Sequence, residues 1–442
     1  MIKISQCREE INSKGGNILL FKSFSHLNLG KFNQVVCEKV KRGYYSNEQI
    51  IETVLYNMAS GQYNFANVSR LNDDAIVKQA VSLNTLPSEE TLRQRFDGIA
   101  LHNEKQSLAD SLIVEQLKLV KDLGKIKTNY FEYIPMDLDV SIMEQPNCKK
   151  EGVSWTYHEV MGYAPIFCYL GTNGYMLGNE LRNGSQHSVP GTNEFIQRCF
   201  DKTDSLDIKR SEILLRADSG HDDKNFLKLL NESGVKYLIK RNFRNEDRNH
   251  YIDNAIKTGV KIEEKHGKTR YLCTLSHVKP EGCENYPMFL VLEIIESMQD
   301  DKGQPYFYPM YELSGWWTNL SEEESTCVWL YHEHATSEQY HSELKTDLDI
   351  ENLPSGKFST NALFLNLSTL VFNALRMIGQ IVLKSEYNPV KKAVSRLRLR
   401  TVLLNLIYVG CKVVKHANQI IVKFGKSCSW YKCIEEAFHM LT

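Results

Sequence analysis

Four side chains near residue 340 combine reactivity with regular spacing. Tyr331, His334, Glu338 and Lys345 lie at offsets of 0, 3, 7 and 14. At 3.6 residues per turn these positions share one helix face, and a face carrying a phenol, an imidazole, a carboxylate and an amine is not a core stripe. Glu338 and Lys345 are too far apart along the helix to pair directly, so each is available to something else. Two further acids sit where strands should end, Asp139 in PMDLDVS and Asp218 in LLRADSG. Carboxylates at strand ends meet in the crevice at the carboxyl edge of an α/β sheet. Such hard oxygen ligands suit Mg²⁺ or Mn²⁺. Three of them can hold two ions ~3.5–4 Å apart, one on the attacking and one on the leaving oxygen of a phosphodiester. Lys345 would then pair with phosphate. Asp137, two residues before Asp139, is a rival first ligand because both point to the same side of a strand. Glu343 rivals Glu338. Asp222 reads as an acid at a helix N-terminus, and an Asp at a strand end also commonly caps a turn.

The elements that would position these groups can be read from pattern. YFEYIPMDLDV is aromatic and β-branched enough for a strand, and GYAPIFCYLG and GYMLGNELR flank a Gly-Thr-Asn-Gly turn as a hairpin. A helix over 191–202, a buried strand in EILLRADSG, a helix over 222–231 and a strand in VKYLIKR follow, which makes a mixed α/β sheet. Residues 242–320 are polar and turn-rich with short alternating pieces, and are expected to form a separate, mostly β insertion. From Glu322 the chain reads as helical to its end, including an apolar helix edged by Arg396, Arg398, Arg400, Lys412 and Lys415. Residues 30–125 also read as helical. Ser88 is expected to cap a helix whose first turn holds Glu89 and Glu90. That helix presents Arg93, Gln94 and Arg95, either to DNA phosphates and base edges or simply to solvent.

Composition sets the outer bounds. The 442 residues exceed one ordinary domain, and 42% hydrophobic with 24% charged content describes a well-cored globular chain. A net charge of -1 means nucleic-acid binding would have to rest on local basic patches. Eleven cysteines without a C-x-x-C pair suggest reduced thiols rather than disulfides or structural zinc. The first residues contain no apolar signal region, and no uninterrupted run reaches the length of a membrane span. A cytoplasmic, nucleoid-associated location is the expectation.

The helix-face motif resembles a known family. Y-x2-R-x3-E-x6-K marks insertion-sequence DDE transposases with a ribonuclease-H-like core, and this chain carries His334 where the family usually has Arg. Asp139-Val140-Ser141 resembles the family's D-x-[ST], and Asp218 with Asp222 resembles its second motif. LRNGSQHS, RADSGH and LPSEETL look most like the branch named for insertion sequence thirteen-eighty. The resemblance covers about residues 30–420.

It implies a ribonuclease-H-like mixed sheet interrupted by a mostly β insertion, with helical N- and C-terminal regions. The corresponding divisions are a DNA-binding region 1–125, core segments 126–241 and 321–380, the insertion 242–320, and a basic helical region 381–442. It further implies Asp139, Asp218 and Glu338 as the catalytic and metal-binding triad with two Mg²⁺ or Mn²⁺ ions. Tyr331, His334 and Lys345 would contact transposon-end DNA, the His334 contact weakened or made pH-sensitive. Trp316 and Trp317 would stack on a flipped base. Double-stranded DNA is the implied partner, both terminal inverted repeats and target, held by a homodimer. A ribonuclease-H-like nuclease or resolvase, or a decayed transposase that only binds DNA, would share parts of this pattern.

Overall fold

The computed structural model describes residues 2–6, 9–35, 45–102, 104–244, 246–265, 267–300, 302–390, 394–416 and 419–441. Parts of the expected helical regions, 36–44 and 391–393 among them, therefore lie outside the described residues.

A mixed sheet forms the centre. Its first five principal strands are β1 (Glu132–Val140), β2 (Ile166–Leu170), β3 (Tyr175–Glu180), β4 (Ile213–Ala217) and β5 (Lys236–Lys240). In space they run β3-β2-β1-β4-β5. β2 is antiparallel to both β1 and β3, while β4 and β5 run parallel to β1. This is the mixed α/β core expected from the sequence. The parallel strands need crossover helices, supplied by Thr192–Ser205 and Lys224–Ser233. Asp223 caps the second of these, accepting from Asn225 and Phe226 N–H groups.

The β2–β3 turn depends on glycine. Gly171 and Gly174 have φ of +74° and +67°, a region that side chains rarely occupy. A Cβ on Gly174 would stand 2.3 Å from the ring of Tyr340, so the turn packs directly beneath the helix that carries Glu338.

Residues 242–320 do not form a separate lobe. After a helix at Arg248–Thr258, strands β6 (Val260–Lys265), β7 (Lys268–Leu275), β8 (Phe289–Gln299) and β9 (Pro305–Thr318) continue the central sheet in the order β5-β9-β8-β7-β6. The join is physical necessity at an edge. β5 would otherwise expose unpaired backbone groups, and Trp316, Trp317 and Thr318 of β9 pair with Lys240, Ile239 and Leu238. The opposite end of β9 leaves the core and is exposed.

The helix Phe358–Lys384 lies against β3. It is long and apolar enough to cross a membrane, yet 94% of that stretch is buried inside the protein. Its polar side chains identify it as a core helix. Asn373 accepts the Met176 N–H at 2.8 Å and donates to the Met176 carbonyl at 2.9 Å, so the helix closes β3's open hydrogen bonds. Helices Asn47–Ala59, Glu89–Ala100 and Lys105–Leu117 pack around it. Ser88 caps the second of these as the sequence suggests.

The C-terminal region corrects the all-helical expectation. One turn of helix, Leu399–Val402, and a wider turn, Leu403–Ile407, give way to a hairpin of β10 (Cys411–His416) and β11 (Gln419–Phe424). The helical run ends at Ile407, and CKVVKH and QIIVKF alternate with a period of two. The short strand Ile11–Asn12 pairs with β10, tying the two ends of the chain together.

Candidate active site

β1 and β4 bring the first two acids together. Leu138 pairs with Ala217 in parallel register, so Asp139 and Asp218 follow on neighbouring strands at the sheet's carboxyl edge. Parallel neighbours in register present their side chains to one face, ~4.8 Å apart along the backbone. Asp137, Asp139, Arg216 and Asp218 therefore share that face, and the helical segment 324–347 covers it.

That segment is one continuous right-handed run with two distortions. α-Helix spans Glu324–His332 and Thr336–Ser342, a tighter turn occupies Glu333–Ala335, and a wider turn Glu343–Asp347. Such distortions within helices often accompany functional sites. Its contacts follow β1 residue by residue. His334 Nδ1 lies 2.9 Å from Asp137 Oδ1, His341 Nε2 lies 3.0 Å from Asp139 Oδ2, and Lys345 Nζ donates to the Ile142 carbonyl. Glu338 lies on the same stripe between His334 and His341. Its side chain is exposed and, among the described residues, takes part in no hydrogen bond or ion pair. It also lines a groove of about 580 Å³ with Gln339, Ser342, Glu343, Arg396 and Arg398.

The neighbouring acids divide sharply. Asp137 is buried and receives two parallel hydrogen bonds from Arg216, at 2.7 and 2.8 Å, besides the His334 contact. Burial alone would raise its carboxyl pKa, but the Arg216 and His334 charges hold it below the ordinary value. Glu343 is buried against Arg376 at 2.7 Å and accepts the Leu399 N–H. Asp222 accepts from Trp317 Nε1 at 2.8 Å and from Arg241 at 2.6 Å. Asp139 and Asp218 remain half-open. Asp139 binds its neighbour's N–H and His341. Asp218 uses one oxygen for the Gly220 N–H and His221. Burial works to raise the Asp218 pKa, and the His221 bond and charge with the Gly220 N–H outweigh it and lower it.

Five groups missing from the sequence reading support this cleft, His341 among them. Tyr169 hydroxyl lies 3.2 Å from His341 Nδ1, completing a buried chain from β2 to Asp139. His221 holds Asp218 at 2.8 Å. Tyr157 feels both aspartates: desolvation, then the charges of Asp139 and Asp218, raise its hydroxyl pKa. Arg216 had a visible signal, since a charge inside the apolar strand ILLRA must find a buried partner. Tyr331 is close to the same pair, its pKa raised by burial and then by Asp218 and Asp139. Burial lowers the Lys345 pKa, partly opposed by Glu351 and Asp139.

Other expected DNA contacts are spoken for. His334 is only 7% exposed and is turned into the protein, so a phosphate contact would require it to leave Asp137. Trp316 and Trp317 are each 1% exposed, too enclosed to stack on a base. Trp316 packs on Tyr331, with ring centroids 5.5 Å apart, and Arg241 sits over Trp317. Arg95 ties two helices together through the Tyr45 carbonyl and Asn47 side chain, both at 2.8 Å. Arg93 is exposed and pairs with Glu90 at 2.7 Å.

The donor chemistry fits a hard divalent cation: two half-open aspartates on adjacent strands, and an exposed glutamate on the helical segment whose His334 and His341 contact β1. Among the described residues, no three His, Cys, Asp or Glu side chains are gathered closely enough to ligate one ion as they stand.

The family described as Transposase DDE domain group 1 matches residues 1–442, the whole chain. The chain belongs to that family. It is accordingly a DDE transposase, an enzyme of a class that works with divalent metal ions. The solved structure of the piggyBac transposase synaptic complex with hairpin DNA is similar over 90% of this chain and 80% of that one, with 11% identity and a TM-score of 0.42. No curated protein matches the chain.

Proposed function

We propose that Asp139, Asp218 and Glu338 are the catalytic carboxylates of this transposase and hold two Mg²⁺ or Mn²⁺ ions. The observation that carries this is the division among the acids. Asp137, Asp222 and Glu343, the rivals raised by the sequence, are each consumed by arginine partners. Asp218 and Glu338 keep oxygens free, and Asp139 is half-open and held by a histidine and its neighbour's N–H rather than by an arginine; completing the set would bring the exposed Glu338 side chain toward the aspartates. Bound there, the ions would polarise the scissile phosphodiester and the attacking oxygen. The chain itself holds Asp139 through His341, holds Asp218 through His221, and keeps Lys345 beside Asp139. Tyr331 closes the cleft on the Trp316 side.

The substrates on this reading are the terminal inverted repeats of a transposon, then target DNA, in the insertion sequence thirteen-eighty branch. Cleavage frees a 3′-hydroxyl that attacks target DNA in line. Joining two ends calls for a homodimer on DNA, and the cytoplasm around the nucleoid is the place of action. The test pairs end cleavage with ion binding. Asp139→Asn, Asp218→Asn and Glu338→Gln should each abolish Mg²⁺-dependent cleavage of a terminal-repeat duplex and weaken Mn²⁺ binding measured by electron paramagnetic resonance. Loss of ion binding in Glu343→Gln, with Glu338→Gln retaining it, would overturn the assignment.

A further inference from the structure

Between residues 387 and 434 the chain holds ten Lys and Arg and no Asp or Glu, in a protein whose net charge is -1. Half of these cations lie on or beside the β10–β11 hairpin, and the hairpin's outer face is not built for stability. Lys412 stands directly opposite Lys423 across the strands, a like-charge pairing that weakens a ladder. Val414 pairs with Ile421 on the same face, and Ile11 extends it through its pairing with Lys412. Ile11 is 64% exposed and Ile421 40%. The inner face, with Cys411 and Val413, packs on Ala75 and Ile76, so the hairpin is anchored and its outer face is presented. Lys412 pairs with Glu9 at 2.5 Å. Among the described residues, the side chains of Lys415, Lys423 and Lys426 have no hydrogen bond or ion pair, and Lys426 lines a groove of about 490 Å³ beside Tyr387, Tyr431 and Lys432.

We propose that this hairpin is a second DNA-contact surface, a two-stranded ribbon that seats in the major groove of duplex DNA away from the carboxylate cleft. The proposal rests on the transposase reading for its ligand and on the hairpin alone for its place. A major groove admits a two-stranded β-ribbon. Lys415, Lys423 and Lys426 lie against phosphates on either side, while Val414 and Ile421 meet apolar base edges such as thymine methyls.

The experiment is a salt titration of the full chain with a duplex that lacks any terminal repeat, comparing wild type with the triple variant Lys415→Gln, Lys423→Gln, Lys426→Gln. The slope of log affinity against log salt should fall by about 1 per engaged lysine, hence by about 2–3, and affinity near 0.1 M salt should drop more than about tenfold. The corresponding triple Arg variant should keep the slope, and Ile421→Asp should weaken binding without lowering Tm. The titration involves no cleavage, so it reads the ribbon whether or not the carboxylate assignment holds. An unchanged slope in the Gln variant overturns the proposal. So does an unchanged slope with lost binding to phosphatidylserine vesicles, which would make the ribbon a lipid-facing surface.

Discussion

His341 spans the space between Asp139 and Tyr169, its two ring nitrogens 3.0 Å from the carboxylate and 3.2 Å from the phenol. The histidine and the tyrosine are buried, so the carboxylate is held from the protein side while its remaining edge faces the cleft. A buried partner of this kind fixes the orientation of a carboxylate. His341→Ala should lower single-turnover end cleavage by roughly 10–100-fold at saturating DNA while leaving DNA affinity unchanged. His341→Gln, whose amide can still reach Asp139, should recover part of the rate. If the Ala variant cleaves at the wild-type rate, His341 does not position Asp139.

Asp137 and Arg216 form a buried pair that fastens the Glu338-bearing segment to the sheet, because Arg216 also donates to the Leu330 carbonyl at 2.7 Å. Removing one partner strands the other charge in the core, at a cost of about 3–5 kcal/mol. Arg216→Met should therefore lower Tm by about 3–5 °C. The double variant with Asp137→Leu should be less destabilised than Arg216→Met alone. Thermal melts of the three proteins measure this, and equal loss in single and double variants would mean the pair is not the source of the stability.

His334 belongs to the same buried group, which changes what an arginine there would do. The larger guanidinium would compete with Arg216 for Asp137 rather than reach a phosphate. Binding titrations of His334→Arg on a terminal-repeat duplex should show the same affinity change at pH 6 and pH 8. Tighter binding confined to pH 8 would restore a direct phosphate contact.

The Tyr331–Lys345 face was legible because helix periodicity survives the two local distortions, and the five core strands were legible because apolar runs ended at acids or glycine turns. Which acids were free was not. That depended on Arg216 reaching Asp137 across 79 positions and Arg376 reaching Glu343 across 33, contacts set by tertiary packing. The C-terminal misreading has a different cause. VLLNLIYVGCKVV is largely apolar, and such a run fits helix or strand until pairing with QIIVKF decides it. Nor does alternation in residues 289–318 reveal that β9 pairs with β5.

Trp316 separates a core role from a DNA role. Its indole is 1% exposed and packs against Tyr331, so Trp316→Ala should cost about 3–5 kcal/mol of stability. A base-stacking residue would leave Tm unchanged and reduce only cleavage. Urea unfolding followed by circular dichroism distinguishes them.

Glu52 gives the protein a pH dependence unrelated to the cleft. It lies in the helix Asn47–Ala59, one turn after Glu48, and burial followed by the Glu48 charge raises its carboxyl pKa to about 7 from an ordinary 4.5. A carboxyl whose folded pKa is raised binds its proton more tightly in the folded state. Between pH about 4.5 and about 7 the folded chain therefore holds more protons than the unfolded one, and this group's contribution to stability falls as pH rises through that window. Above it the penalty is constant. Glu52→Gln removes the charge without changing the shape, so it should stabilise the protein at pH 8 by on the order of 2 kcal/mol and have little effect below pH 5. Urea midpoints of both proteins at pH 5 and pH 8 supply the test. An equal shift at the two pH values would show that the gain came from packing rather than from ionisation of Glu52.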